Sequence, residues 1–210
     1  MLSQTVHLFH KELQGPEAFA VRSNGEVYTG LDDGRIVQIL LDSFQTIAHI
    51  DPLKLGIDGC RQIRHIGKCG RPLGLRFDPS NNNLLYILDP NYGLWTLNLA
   101  THKLTLFLSS TQLDDAKFLD DFIILEKSNS GGIDKGKVFY FTDASRKWQL
   151  PDVKALLVEN DHSGRLLSYD TETKKVKVEV KDIPFPNGIE LTDDRSAVLV
   201  ASFTTRKIWR

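Results

Sequence analysis

The stretch NNLLYILDPNYGLWTLNLATHKLTLFL, residues 82–108, sets an apolar run ending in Asp89 against a second run opened by Tyr92-Gly93 and a third that follows Thr101-His102. Short runs separated by turn residues are the strands of a β-meander. The same phrase stands on both sides of it. GEVYTGLDDGRIVQIL (25–40) precedes it, KVFYFTDAS (137–145) and SGRLLSYDTETKKVKVEV (163–180) form one interrupted copy after it, and PNGIELTDDRSAVLVASFTTRKIWR (186–210) is a fourth. Val27, Tyr28, Tyr86, Ile87, Phe139, Tyr140 and Phe141 supply the β-branched and aromatic side chains that suit a pleated sheet. Asp33-Gly34, Tyr92-Gly93 and Ser163-Gly164 supply the turns.

The copies recur about every 50 residues, the spacing of a propeller blade and too long for most solenoid repeats. A β-sandwich also has short strands and turns, but it does not restate the same turn chemistry at the same place. The expected fold is therefore all-β, an incomplete β-propeller of about four blades. Residues 1–14 read as a lead-in strand or tail, and 15–210 as blades 1 to 4. These blades alone would leave the ring open, and exposed blade edges predict aggregation.

Within the third copy, SRKWQLPDVKALLVENDH (145–162) breaks the strand grammar. Val153, Leu156 and Leu157 follow helical spacing after Pro151 and Asp152, so a short helix is expected to start at the proline. An insertion between strands of a blade lies on a propeller face, where it either covers a site or decorates the surface.

Composition narrows the function. Lys+Arg number 26 against 27 for Asp+Glu, and no basic run exceeds a pair, so a nucleic-acid groove is not expected. No window of 18 apolar residues occurs, and the opening MLSQTVHLFHKEL lacks the basic start and apolar run of a signal peptide. His7, His10, His49, His65, His102 and His162 show no metal-ligand spacing, and none accompanies a Ser in a nucleophile elbow. Nucleotide chemistry has no glycine-rich phosphate loop to use. Asp78-Pro79-Ser80-Asn81-Asn82 reads as a hairpin tip.

The two cysteines, Cys60 and Cys69, flank a short loop in GCRQIRHIGKCGRP. A disulfide closing it would stabilise by roughly 2–3 kcal/mol and place the chain in an oxidising compartment. Free thiols, or a zinc site using His65, are the alternatives.

Inner strands of a propeller line the axis, so polar residues at their starts converge. Glu17 in GPEAFAV, Asp120 in AKFLDDFIIL and Asn187 in FPNGIEL occupy such places in separate blades. Each alone reads as a turn or loop residue. Together they offer carboxylate and amide oxygens, the ligand set of a hard cation such as Ca²⁺.

GPEAF, DGRIV, CGRPLGLRF, YFTDASRKWQ, SGRLLSYDTETKKVKV and FPNGIEL, in this order, resemble the strictosidine synthase-like family from about Gly15 to Arg210. The resemblance implies a six-bladed propeller related to paraoxonases and gluconolactonases, with Ca²⁺ in the channel of the hydrolytic members. It implies a Cys60–Cys69 disulfide and a secretory-pathway location: the endoplasmic reticulum lumen, membrane-attached or extracellular. Membrane attachment would use an N-terminal anchor that is not in this chain. Glu17 and Asn187 match metal-binding positions of the hydrolytic relatives, and Asp120 stands where they usually carry Asn. Leu73 stands where paraoxonases have a His, so that base is missing. The alkaloid-forming enzyme uses a Glu near the end of the propeller, outside this chain, and tends to lose the channel Glu and Asn, which disfavours a strictosidine synthase-type lyase.

The expected function is a Ca²⁺-dependent, arylesterase-like hydrolase of small-molecule esters or lactones, of which this chain is a truncated, inactive form. The alternative is a non-catalytic propeller that binds a protein or lipid partner.

Overall fold

Each copy of the repeated phrase folds into one antiparallel sheet, and the computed structural model, which describes residues 9, 11–63, 67–127 and 136–210, contains four such sheets. Blade 1 consists of β1 (Phe19–Val21), β2 (Val27–Gly30), β3 (Arg35–Ile39) and β4 (Phe44–His49). Blade 2 consists of β5 (Gly74–Asp78), β6 (Asn81–Asp89), β7 (Gly93–Asn98) and β8 (Lys103–Ser109). Blade 3 is β9 (Leu119–Glu126), β10 (Lys137–Asp143), β11 (Gly164–Asp170) and β12 (Val176–Ile183). Blade 4 has β13 (Pro186–Leu191), β14 (Val198–Ser202) and β15 (Lys207–Trp209).

In every sheet the strands pair in chain order. The first strands also touch one another, β5 on β1, β9 on β5 and β13 on β9, which makes them the inner strands about a common axis. The propeller expectation is met, with four blades in this chain. Most of the expected lead-in lies outside the described residues, and 11–14 form no strand.

Burial explains why the phrase repeats its polar punctuation. Asp89, at the end of β6, accepts hydrogen bonds from the N–H groups of Asn91 and Tyr92 in its own turn, and from the Arg71 N–H at 2.6 Å just ahead of β5. Asp143, at the end of β10, accepts from the Phe118 N–H at 3.0 Å just ahead of β9. Each Asp thus ties its second strand to the segment entering the inner strand. The recurring Gly-Arg supplies a counter-charge: Arg165 Nε donates to Asp143 at 2.9 Å and Arg35 Nε to Asp33 at 2.9 Å, all four residues being buried. A buried carboxylate is tolerated only with such partners. Gly34 and Gly93 have φ of 87° and 107°, and a Cβ there would lie 2.6 Å from the Ile50 oxygen and 2.2 Å from the Leu108 oxygen.

The core lies between sheets rather than inside any one. Along β6 the side chains alternate, so Leu85 and Ile87 pack with Tyr28, Ile36 and Leu75 between blades 1 and 2. Tyr86 and Leu88 face the other way, joining Phe122, Phe139 and Phe141 between blades 2 and 3. Ile123, Leu166, Ile189 and Val200 join blades 3 and 4. Each fully buried aliphatic or aromatic side chain contributes about 1.5–3 kcal/mol. Among the described residues no such cluster joins blade 4 to blade 1.

Helix α1 (Gly56–Ile63) lies in the connection from blade 1 to blade 2 and was not expected from the sequence. Only Cys60 of its residues is buried, and the stripe it makes with the half-buried Ile57 and Ile63 is too short to announce a helix in the sequence. Asp51 holds its entry by accepting from the Leu55 N–H at 3.0 Å and the Gly56 N–H at 2.7 Å. Cys60 is disulfide-bonded to Cys69 with a Cα–Cα distance of 5.6 Å, so neither thiol is free for a metal. His65, the third ligand of the zinc alternative, lies outside the described residues.

The insertion in blade 3 folds as expected. A 3-10 turn at Leu150–Asp152, with Pro151 in its first turn, leads into helix α2 (Val153–Glu159). Leu156 is fully buried against Leu73, Phe118 and Phe185, which places α2 over the end of the propeller where the inner strands begin. No described helix is long and apolar enough to cross a membrane.

Candidate functional site

Glu17, Asp120 and Asn187 stand at the same end of three inner strands. Glu17 lies two residues ahead of β1, while Asp120 and Asn187 are the second residues of β9 and β13. The last two occupy matching β-bulges. In blade 3, Leu119 pairs with Asp143 and Phe122 with Phe141, leaving Asp120 and Asp121 opposite Thr142 alone. In blade 4, Pro186 pairs with Ser202 and Ile189 with Val200, leaving Asn187 and Gly188 opposite Ala201 alone. A bulge of this kind re-aims side chains and twists the strand.

Asp120 is 5% exposed, and the groups that act on its carboxyl are the charged side chains of Glu17, Asp121 and Arg71. Burial holds this carboxyl well above the usual range, the charges of Glu17 and Asp121 push it further, and Arg71 pulls it partly back. Glu17 is more open to solvent, yet desolvation by the surrounding protein still raises it, Arg71 opposing and Asp121 adding to the rise. Burial also raises Asp121, against the nearby Arg76 and the N–H groups of Phe122 and Ile189. The structure thus brings Glu17, Asp120 and the unpredicted Asp121 into one electrostatic cluster.

Asn187 joins the cluster through its backbone. Thr142 donates its hydroxyl to the Asn187 carbonyl at 2.6 Å and accepts from the Asp121 N–H at 3.0 Å. The Asn187 side-chain oxygen accepts the Gly188 N–H at 2.9 Å, which leaves one lone pair for another partner.

Arg71, just ahead of β5, donates to the Gly15 carbonyl at 2.7 Å and is the cation nearest the pair in effect, lowering both Glu17 and Asp120. It also lines a cavity of about 390 Å³ on the same face, together with Gly15, Asp32, Asn91, Leu150 and Pro151. Leu73 takes the equivalent place in blade 2; it is 4% exposed and packed under α2, so it offers the channel no polar atom.

Two excess carboxylates in a poorly solvated place suit a hard cation with oxygen ligands. Glu17, Asp120 and Asp121 are not tightly gathered, however. Among the described residues the one trio of acidic, Cys or His ligand atoms all within 4.8 Å of one another is Asp51, Cys60 and Cys69, and its sulfurs are bonded to each other.

Sequence reading found the strand-start residues and missed Arg71, Arg76, Asp121 and Thr142. A charged residue at mid-strand in GLRF, on an inner strand otherwise apolar, was the available sign for Arg76.

A strictosidine synthase family model matches residues 129–210, and a model of the strictosidine synthase-like N-terminal region matches residues 2–39. The adipocyte plasma membrane-associated protein of Mus musculus is 37% identical over 212 residues, covering 100% of this chain and 47% of that protein. Its Homo sapiens counterpart is 36% identical over 212 residues with the same coverage, 100% and 47%. The Arabidopsis thaliana protein STRICTOSIDINE SYNTHASE-LIKE 10 is 33% identical over 201 residues, covering 93% of this chain and 51% of that one. This chain spans about half the length of the curated relatives it matches. Among solved structures, an auxiliary nutrient binding protein from Bacteroides ovatus superposes with a TM-score of 0.60 at 12% identity, covering 93% of this chain and 47% of that one. The computationally designed Ika4 protein gives 0.52 at 14% identity, covering 100% and 98%. Both share the fold alone.

Proposed function

The chain belongs to the strictosidine synthase-like family, and on that premise we propose that it forms part of a Ca²⁺-dependent hydrolase of small esters or lactones. The observation that carries this reading is the buried Asp120, whose carboxyl has the carboxylates of Glu17 and Asp121 as charged neighbours. A site so arranged is costly when empty and favourable when a cation shares its charge.

Glu17, Asp120 and the Asn187 amide are the residues that would hold the ion. When bound there, Ca²⁺ would polarise a substrate carbonyl and stabilise the oxyanion that forms on it. The chain's own residues do the rest. Arg71 offsets part of the carboxylate charge, so the pair is less repulsive than two bare anions. The cavity beside Arg71 admits a small molecule, with Leu150 and Pro151 of the insertion as its apolar wall.

The disulfide suits an oxidising compartment, and the mouse and human relatives are named for the plasma membrane. A secretory-pathway location follows as part of the proposal.

Calcium titration of the full-length protein by calorimetry, followed by an aryl ester assay with and without chelator, tests the reading. We expect Ca²⁺ binding and chelator-sensitive turnover, both weakened by at least about tenfold in Glu17→Gln. Unchanged binding and turnover in that variant would remove the idea. Leu73 favours a second reading, because an apolar, buried side chain at that channel position provides no base. A protein that gains thermal stability from calcium yet turns over no ester or lactone would be a propeller whose face binds a protein or lipid partner.

A further inference from the structure

We propose that Thr142, Asp121 and Arg76 are positioning residues: they lock the bulges of β9 and β13 together and so fix where Asp120 and Asn187 present their oxygens. The inference rests on the cation reading for its purpose, though not for its geometry.

A bulge removes backbone groups from the strand ladder, and buried backbone groups must find other partners. Here side chains of the same blade and of neighbouring blades provide them. Thr142 is fully buried and opposes the first bulge; its oxygen accepts the Asp121 N–H at 3.0 Å, and its hydroxyl donates to Asn187 of the second bulge at 2.6 Å. Its one proton also lies within reach of the Asp121 carbonyl, at an oxygen–oxygen distance of 3.3 Å, and the shorter contact to Asn187 is the stronger claim on it. Asp121 returns the link, its Oδ2 accepting the Ile189 N–H at 3.2 Å, one residue past the second bulge.

Arg76 lies behind both. It stands on β5 in blade 2 and reaches across two blades, donating through Nε to the Phe122 carbonyl and through Nη2 to the Ile189 carbonyl at 3.0 Å. The same Nη2 meets Asp121 Oδ2 at 3.4 Å, and Nη1 meets Glu190 at 3.0 Å. A planar guanidinium can serve several acceptors in fixed directions, which a lysine ammonium cannot. One side chain therefore gathers the residues that follow both bulges. The candidate ligands Asp120 and Asn187 precede those residues, so their approach is set by a network that touches no ligand oxygen of Asp120.

The test uses the full chain and Ca²⁺ itself. Thr142→Val keeps the shape and removes the hydroxyl, whereas Thr142→Ser keeps the hydroxyl and removes a methyl. The expected result is Ca²⁺ affinity lowered about 10- to 100-fold in Thr142→Val and restored to within about threefold in Thr142→Ser, the range typical of groups that orient metal ligands. Equal melting of the cation-free variants would separate this from general destabilisation. Wild-type affinity in Thr142→Val overturns the proposal. If the wild-type protein binds no Ca²⁺, the cation reading falls, and amide exchange decides the positioning. Faster exchange at Asp121 and across Asn187 to Ile189 in Thr142→Val, but not in Thr142→Ser, upholds it; no difference overturns it. Should Thr142→Val fail to fold, Asp121→Ala takes its place, since it removes the acceptor of the Ile189 N–H. Faster exchange across Asn187 to Ile189 in that variant upholds the proposal, and wild-type exchange there overturns it.

Discussion

Asp120 carries the clearest thermodynamic signature in the chain. A carboxyl whose folded pKa is raised above its unfolded value retains its proton longer in the native state, so the fold is favoured at low pH. That advantage is lost as pH rises from the unfolded value of 3.8 through the raised folded one, leaving a buried charge that destabilises the native state at neutral pH. Asp120→Asn removes this cost. The variant should melt higher than wild type at pH 7 without cation, the gap should close below about pH 4, and Ca²⁺ should still raise its melting temperature, though by less than it raises the wild type's, because an Asn keeps an oxygen ligand and loses the charge. A scanning fluorimetry series across pH, with and without Ca²⁺, checks all three; a variant that melts lower than wild type at pH 7 contradicts the assignment. Glu17, Asp120 and Asn187 were legible in the sequence because each sits at the same point of a repeated phrase. The network that aims them was not. A bulge is a one-residue difference between two paired strands and leaves no mark in either strand alone, and Arg71 and Arg76 act on residues far away in sequence.

The two helices show how differently elements announce themselves. Helix α2 has a proline in its lead-in turn and buries Leu156 in an apolar cluster, so its periodicity could be read. Helix α1 buries nothing but Cys60, and its order comes from the Asp51 cap and the disulfide, neither of which is periodic. The disulfide accordingly matters more for α1 than its short loop suggests. It also sits two residues from Arg71, whose N–H is held by Asp89. Replacing both cysteines by Ala should cost about 2–3 kcal/mol, a drop in melting temperature of roughly 4–12 °C for a chain of this size. Hydrogen exchange should quicken first across 56–71, and uniform exchange in the double variant would show that α1 is held by packing alone.

Four blades with three inter-blade cores leave two faces unmatched. In β1 the alternation that turns Ala20 toward blade 2 turns Phe19 and Val21 away from it, and these are 57% and 63% exposed. In blade 4, Val200 faces blade 3, while Ala201 and its partner Ile208 face outward, Ile208 being 72% exposed. Phe203 is 59% exposed at the end of β14. The strand β15 is short, wholly exposed and unpaired on one side, the kind of edge that templates association. A formal charge of -1 provides little long-range repulsion against it. The 210-residue chain expressed by itself should therefore self-associate at micromolar concentration, seen as a mass that grows with concentration in light scattering. Phe19→Lys combined with Ile208→Lys places like charges on both unmatched faces at positions where burial is slight, so the fold should bear them. That variant should scatter as a monomer and retain the strand signal in circular dichroism. A wild-type chain that stays monomeric and melts cooperatively would mean that these apolar faces are too small or too divided to drive association, and the exposed edge of β15 would then have to be protected by its shortness alone.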